Sequence, residues 1–346
     1  MEAPATIARV PLPSLYEEAL SPALRELDRQ ARRFSAFLSA ATILAAPPAL
    51  LAAWRLHLRH PDGERWVLPL GAVLFGHLFA RMGFDGWWKR RFKRRVLAPF
   101  VAASQDGVRY EPDGFVAAEV FHSSRLFPLQ ADDYRGEDRM SGTDGEVRFE
   151  LSEIRARHCV KRWSPLKRID REAWVPLFRG LFFVADFSKG MEGTTLVLPR
   201  AAGALREEVV KAIRREGRGK RETVELEDPE FRRVFEVIAD DQVQARYLLS
   251  PGLMSRLLEF QRDRREPFAL SLTAGKVFLA LFTSQDLCKP IPPREVREAL
   301  ASPDARKAIL GRLGATSQDL RFGRDLVEEL RLNVRIWSRP DKEDSR

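Results

Sequence analysis

FSAFLSAATILAAPPALLAAW, residues 34–54, contains no charged side chain. At about 1.5 Å per residue, a helix of that length covers roughly 30 Å, the thickness of a bilayer's hydrocarbon core. Arg32 and Arg33 close the run on one side and Arg55 on the other. Pro47 and Pro48 fall inside it. Two prolines would break a helix in water, but membrane helices keep them when neighbouring groups satisfy the freed carbonyls. A kink is expected near Leu44. A second apolar run covers residues 66–80 and extends through Phe84 if Arg81 reaches back to the interface. Trp66, Trp87 and Trp88 sit where interfacial aromatics belong. His77, inside this run, reads as a polar contact to the partner helix. The pair predicts a transmembrane helical hairpin over residues 34–84.

Charge placement sets the expected orientation. Residues 1–99 hold 15 Lys and Arg against 8 Asp and Glu, whereas the rest of the chain carries a net charge of only +2. Arg25, Arg29, Arg32 and Arg33 precede the first run, and seven basic residues from Arg81 to Arg95 follow the second. The loop between holds only Arg55, Arg59 and Arg65. Lysine and arginine favour the cytoplasmic side, which predicts a multi-pass bacterial inner-membrane protein with both termini in the cytoplasm. The first run starts too late and follows too acidic a stretch for a cleaved signal peptide. A positive field confined to the membrane segments argues against nucleic acid, which needs that field on the binding face.

Leu20, Leu24, Leu27, Ala31 and Phe34 recur at helical spacing, giving a cytoplasmic amphipathic helix within residues 1–33. Its stripe is expected to pack within the chain. Residues 85–103 read as a basic juxtamembrane helix with Trp88, Phe92, Val96 and Phe100 on one stripe and charges flanking it. Trp87, Trp88, Lys89, Arg90, Arg91, Lys93, Arg94 and Arg95 are therefore candidates to bind anionic lipid headgroups, with the stripe lying in the inner interface.

From residue 104 to 338 the pattern is that of a soluble α+β domain that folds without the anchor. Hairpins are expected over residues 139–160, turning at Thr143-Asp144-Gly145, then between 177–186 and 194–198, then between 268–272 and 276–282. Helices are expected over 115–125, 204–214, 241–248 and 251–263, and over 293–301, 304–311 and 317–332 at the helical C-terminal end. Asp240 and Asp241 read as caps of the helix containing Tyr247. Glu216 to Arg221 reads as a surface loop and residues 339–346 as a disordered polar tail. Hairpin-joined strands with helices around them make an antiparallel α+β class.

Several strings suggest a family. Phe121-His122-Ser123-Ser124-Arg125-Leu126-Phe127 is followed by Tyr134-Arg135-Gly136-Glu137-Asp138 and Gly142. Then come Phe178-Arg179-Gly180-Leu181-Phe182-Phe183, Asp186-Phe187-Ser188-Lys189, and Leu226-Glu227-Asp228-Pro229-Glu230-Phe231. Ala245-Arg246-Tyr247-Leu248-Leu249-Ser250-Pro251 closes the series. This order, over most of residues 30–285, resembles an uncharacterised bacterial family of membrane-anchored proteins, a domain of unknown function sometimes mislabelled galanin-like. The resemblance implies no agreed activity and no catalytic residues.

The residues by themselves give no reaction signature. Phosphate-binding, dinucleotide-binding, zincin and nucleophile-elbow patterns are absent from the sequence. His122 and His158 lack a partner at ligand spacing, and Cys159 and Cys288 read as ordinary thiols in a reducing compartment. No metal or cofactor is expected. The acidic set Asp132, Asp133, Glu137 and Asp138 could bind a hard cation, but Arg135 and Arg139 interleave with it. It reads as a solvated loop with local salt bridges, in which Glu137 and Asp138 hold a turn. The basic stretch from Arg155 to Arg171, with Trp163 and Trp174, could meet nucleic acid or lipid but reads first as a charge-protected strand edge. The expected function is a membrane-tethered cytoplasmic interaction or scaffold module of unknown protein partner, without evident catalysis. The alternatives are a peripheral domain recognising anionic lipid headgroups, and an enzyme of unrecognised type.

Overall fold

A computed structural model describes residues 16–59, 67–104, 107–144, 147–164, 169–186, 193–200, 222–286 and 288–314. The expected helices at 204–214 and 317–332, the loop at 216–221, the tail and Trp66 lie outside them. The chain forms two compact units, residues 1–104 with 288–315 and residues 105–287 with 316–346. Each is described by itself.

The first unit is helical. A π-helical turn, Tyr16–Leu20, runs into α1, Ser21–Arg59, which continues through Pro47 and Pro48. α2, Val67–Phe92, passes through a second π-helical turn, Lys93–Leu97, into α3, Ala98–Ser104. α1 and α2 pack together. Phe34 stacks on Phe84 with ring centroids 4.7 Å apart, and Thr42 Oγ1 lies 2.9 Å from His77 Nδ1. Thr42 already donates its hydroxyl proton to the Leu38 carbonyl, so the proton of the second bond sits on His77 Nδ1. His77 thus makes the inter-helix polar contact expected of it. Elsewhere these helices point apolar side chains outward: Phe37, Leu44, Phe75, Phe79 and Met82 are each at least 70% exposed.

The other end of this unit has a packed core. Leu20, Leu24, Leu27 and Ala31 are buried, as the stripe predicted. So are Trp88, Phe92, Val96 and Phe100, which corrects the expectation that this second stripe meets a headgroup layer: protein takes up its apolar surface. α8, Pro293–Ala301, and the helical residues 303–314 belong here, although the sequence grouped them with the soluble domain. Trp88 Nε1 donates to the Ile291 carbonyl at 2.9 Å. Asp28, 5% exposed, accepts from Arg32 at 2.8 Å and Arg297 at 3.1 Å.

The second unit is built on one sheet of nine strands, ordered β1-β2-β3-β4-β9-β8-β5-β7-β6, and every pairing is antiparallel. The strands are β1 (Val108–Glu111), β2 (Asp133–Asp144), β3 (Val147–Ser164), β4 (Ile169–Asp186), β5 (Thr194–Pro199), β6 (Glu222–Thr223), β7 (Phe235–Ala239), β8 (Phe268–Thr273) and β9 (Lys276–Phe282). The helices are α4 (Ala118–Ser123), α5 (Pro229–Val234), α6 (Gln242–Leu248) and α7 (Pro251–Arg264).

The 139–160 and 268–282 hairpins form as expected. Ala274 and Gly275 both have positive φ, the geometry of a two-residue hairpin turn. The expected hairpin between β4 and β5 does not form. β8 and β9 insert between them, and the reason is burial: all of β8 and most of β9 are buried, so this apolar hairpin occupies the sheet's centre. Ala269 belongs to the core that holds Phe121, Phe127, Phe178 and Phe182. Its neighbour Phe268 packs instead, tilted or edge-on, against Phe235 and Phe260. Adjacent strand residues point to opposite faces, so both faces of the sheet are covered. Asp241 caps α6 by accepting from the Val243 and Gln244 amides.

β4 and β9 leave no room for a side chain at Gly180. A β carbon there would lie 1.9 Å from the Leu281 carbonyl oxygen, and φ is +151°. We expect Gly180→Ala to cost more than about 3 kcal/mol, because backbone must shift to admit it. A thermal melt in detergent checks this, and an unchanged midpoint contradicts it. Asp28→Ala leaves two half-exposed guanidiniums without their shared carboxylate and should cost about 1–3 kcal/mol. The same melt reads it, with Asp28→Glu recovering part of the loss.

Candidate functional site

Of the acidic stretch expected as a loop, Asp133, Glu137 and Asp138 lie on β2 and Asp132 just precedes it, and the structure divides the stretch into two jobs. Asp132 and Asp133 hold β3. Asp132 accepts the Cys159 amide at 2.7 Å and the His158 Nδ1 proton at 2.8 Å. His158 Nδ1 also faces the Gln130 carbonyl at 2.9 Å, so both of its neighbours are acceptors and the ring proton sits there. Asp133 takes Arg157 Nε at 2.7 Å and Arg135 Nε at 2.8 Å. The Cys159 amide, with help from His158, holds the Asp132 carboxyl below the usual carboxylate range. Arg157, and after it Arg135, does the same for Asp133.

Glu137 and Asp138 do something different. A β-bulge interrupts the β2–β3 register between Glu137 and Met140. Asp138 adopts φ +62° there, a conformation that Asp tolerates better than most residues. Its amide bonds the Pro112 carbonyl at 3.0 Å, and its carboxylate, buried, accepts the Tyr110 hydroxyl at 2.5 Å. Arg139 turns away to Glu111 and Glu150. Glu137 stays paired with Glu153 directly across the strands. Carboxylate oxygens of Glu137, Asp138 and Glu153 therefore fall within 4.8 Å of one another.

Glu137 and Glu153 border a cleft of about 170 Å³ whose walls also carry Arg135, Arg155 and Arg179. Gly180 forms its floor, and Arg179 Nη2 donates to the Ser284 carbonyl at 3.3 Å on its rim. Three carboxylate oxygens could ligate a hard cation, although one oxygen of Asp138 is already committed to Tyr110. Facing carboxylates and guanidiniums suit binding of small charged or polar groups.

The eight expected headgroup residues divide by burial. Trp88 and Lys93 are buried, at 4% and 2% exposed, and so face protein. Arg90, Arg94 and Arg95 are exposed; Trp87, Lys89 and Arg91 are half-buried, and the Arg91 guanidinium lies 5.7 Å above the Trp87 ring. His122 packs edge-on against Phe121, and Cys288 is buried. Tyr110, Glu153 and Arg179 were not singled out from the sequence. Only the bulge brings the first two to Asp138, and no sequence pattern announces a bulge between Glu137 and Met140.

Residues 176–332 match the model of a family described as a protein of unknown function, DUF3137. This agrees with the resemblance to an uncharacterised family, over a span beginning further along the chain. No curated protein matches. Among solved structures, the mycobacterial trehalose monomycolate transport factor A, TtfA, aligns with 68% of this chain and 93% of its own. That alignment has 9% identity and a TM-score of 0.33.

Asp132 and Asp133 give an acid sensitivity with a definite sign. Their folded pKa values lie below the unfolded value of about 3.9, so their stabilisation is complete above about pH 4. It is lost as pH falls through the lowered folded values. We expect pepsin to begin cutting β3 near Cys159 as pH drops below about 4, before the central strands are cut. Asp132→Asn with Asp133→Asn should make the same segment sensitive to thermolysin at neutral pH. Equal resistance of this variant and the unmutated chain contradicts the assignment.

Proposed function

We propose that this chain, whose residues 176–332 fall in a family of unknown function, is a membrane-tethered interaction module. The observation that carries the proposal is a pair of helical spans, Ser21–Arg59 of 39 residues and the continuous run Val67–Ala103 of 37, that are long and apolar enough to cross a membrane. Only 11% of the apolar window of the first is buried, and none of the second. A core helix of a water-soluble protein buries such a surface, because each exposed Å² of apolar area costs about 25 cal/mol. A bilayer removes that cost. The sheet unit supplies the module. It offers charged surface and a small cleft, and its titratable groups with resolved shifts are explained by ion pairs, hydrogen bonds and burial in the fold.

In this reading both termini lie in the cytoplasm of a bacterial cell and the loop between the helices lies outside the inner membrane, which the arginine and lysine asymmetry supports. A second reading adds lipid recognition beside the anchor. Arg90, Arg94 and Arg95 are exposed just past α2's apolar stretch, and each basic residue near an anionic leaflet adds about 1 kcal/mol of attraction. Trp87, Lys89 and Arg91 belong with them. Trp88 and Lys93 do not, being buried.

Cysteine labelling in intact cells tests the topology, with Cys159 and Cys288 replaced by serine. Gly63→Cys should react with an impermeant maleimide, and Ser317→Cys should react only after the cells are opened. The reverse pattern contradicts the orientation.

A further inference from the structure

The β3–β4 hairpin outruns the sheet that carries it. β2 pairs with β3 only as far as Asp133 opposite Arg157, and β9 meets β4 only from Gly180 onward. Among the described residues, the seven pairs from His158 opposite Val175 to Ser164 opposite Ile169 hold only each other. At about 3.3 Å per residue they form a two-stranded ribbon roughly 20 Å long. Among the described residues, neither outer edge has a ladder partner. Two-stranded ribbons are marginal in water. Asp132 and Asp133, by gripping the Cys159 amide, His158 and Arg157, fasten this one at its root.

Charge on the ribbon is mostly positive. Residues 158–175 hold five Lys and Arg against two acidic residues, Asp170 and Glu172, whereas residues 100–346 as a whole exceed neutrality by only two charges. The register sets Arg162 directly opposite Arg171. Like charges in that relation repel and loosen a pair of strands. Protecting a bare edge does not require it, since Lys161 opposite Glu172, one step earlier, protects equally and attracts. At the foot of the ribbon, Trp174 is 44% exposed and the Arg157 guanidinium lies 5.1 Å over its ring. That combination of flat apolar ring and cation suits a lipid–water interface.

We propose that the ribbon is a docking arm for anionic lipid headgroups. The positions Lys161, Arg162 and Arg171 supply the charge, and Trp174, under the Arg157 guanidinium that Asp133 holds, supplies the interfacial ring. The inference rests on the anchored reading of the chain. Covalent attachment to that anchor makes docking intramolecular, so individually weak contacts suffice. Nucleic acid fits less well, because the positive strip is isolated on a nearly neutral unit.

The test uses the full chain, with Cys159 and Cys288 replaced by serine and a nitroxide on Ser164→Cys. It is placed in nanodiscs of phosphatidylglycerol with phosphatidylcholine, or of phosphatidylcholine alone. Power saturation reads the label's access to a water-soluble nickel complex. We expect access to be severalfold lower in the anionic discs. The difference should vanish in 1 M salt, where the Debye length is about 3 Å, and in the Arg162→Gln, Arg171→Gln variant. Equal, high access in both discs overturns the proposal. Equal protection in both also overturns it and assigns the ribbon to a protein surface. A chain that does not enter nanodiscs at all overturns the anchored reading instead.

Discussion

Apolar surface that the protein leaves uncovered on α1 and α2 is the constraint from which the proposed account starts. Phe37, Leu44, Phe75, Phe79 and Met82 face outward along two helices that meet through the Phe34–Phe84 stack and through small and polar contacts. Ala49 and Ala53 are the buried residues in the apolar half of α1, and small residues let helix backbones approach closely. The Thr42–His77 pair satisfies the polar groups that a bilayer would leave without water. At the other end of the same unit the chemistry reverses. Leucines and aromatics are buried there, and Asp28 and Trp88 form directed bonds to Arg297 and the Ile291 carbonyl. One pair of helices thus has two environments written along its length.

The sheet unit follows a different rule. Its antiparallel register is set by which strands must be buried on both faces, and β8 and β9 meet that demand best. Their insertion brings β9 against β4 at Gly180, where only a missing side chain allows the approach. Beyond that point β4 loses its neighbour, and beyond Asp133 β3 loses β2. Among the described residues, the ribbon's unpaired edges are a direct consequence of these two endpoints. The acidic residues at its root, which resemble a metal cluster when read as a string, are spent on strand fastening.

Local patterns were legible in the sequence wherever a short-range rule applied. The leucine stripe, the Asp241 cap, the turn at Ala274-Gly275 and the polar contact of His77 all follow from spacing and residue type. Long-range partners were not legible. Nothing in residues 177–198 says that β4 and β5 must part to admit a hairpin from residues 268–282. Nothing in the Trp88 stripe says whether lipid or protein covers it, since both reward the same side chains. The grouping of residues 288–315 with the first unit depends on Ile291 and Arg297 reaching Trp88 and Asp28, contacts spanning more than 200 residues. The Glu137–Asp138–Glu153 gathering depends on one bulge.

The central claim is that the outward apolar surface of α1 and α2 is solvated by lipid. Alkaline carbonate extraction of cell membranes containing the full chain tests it most directly, because high pH strips proteins held by charge or by protein contacts and leaves spanning helices in place. The account predicts that the chain stays wholly with the membrane pellet and leaves it only with detergent. Release into the carbonate supernatant would contradict it.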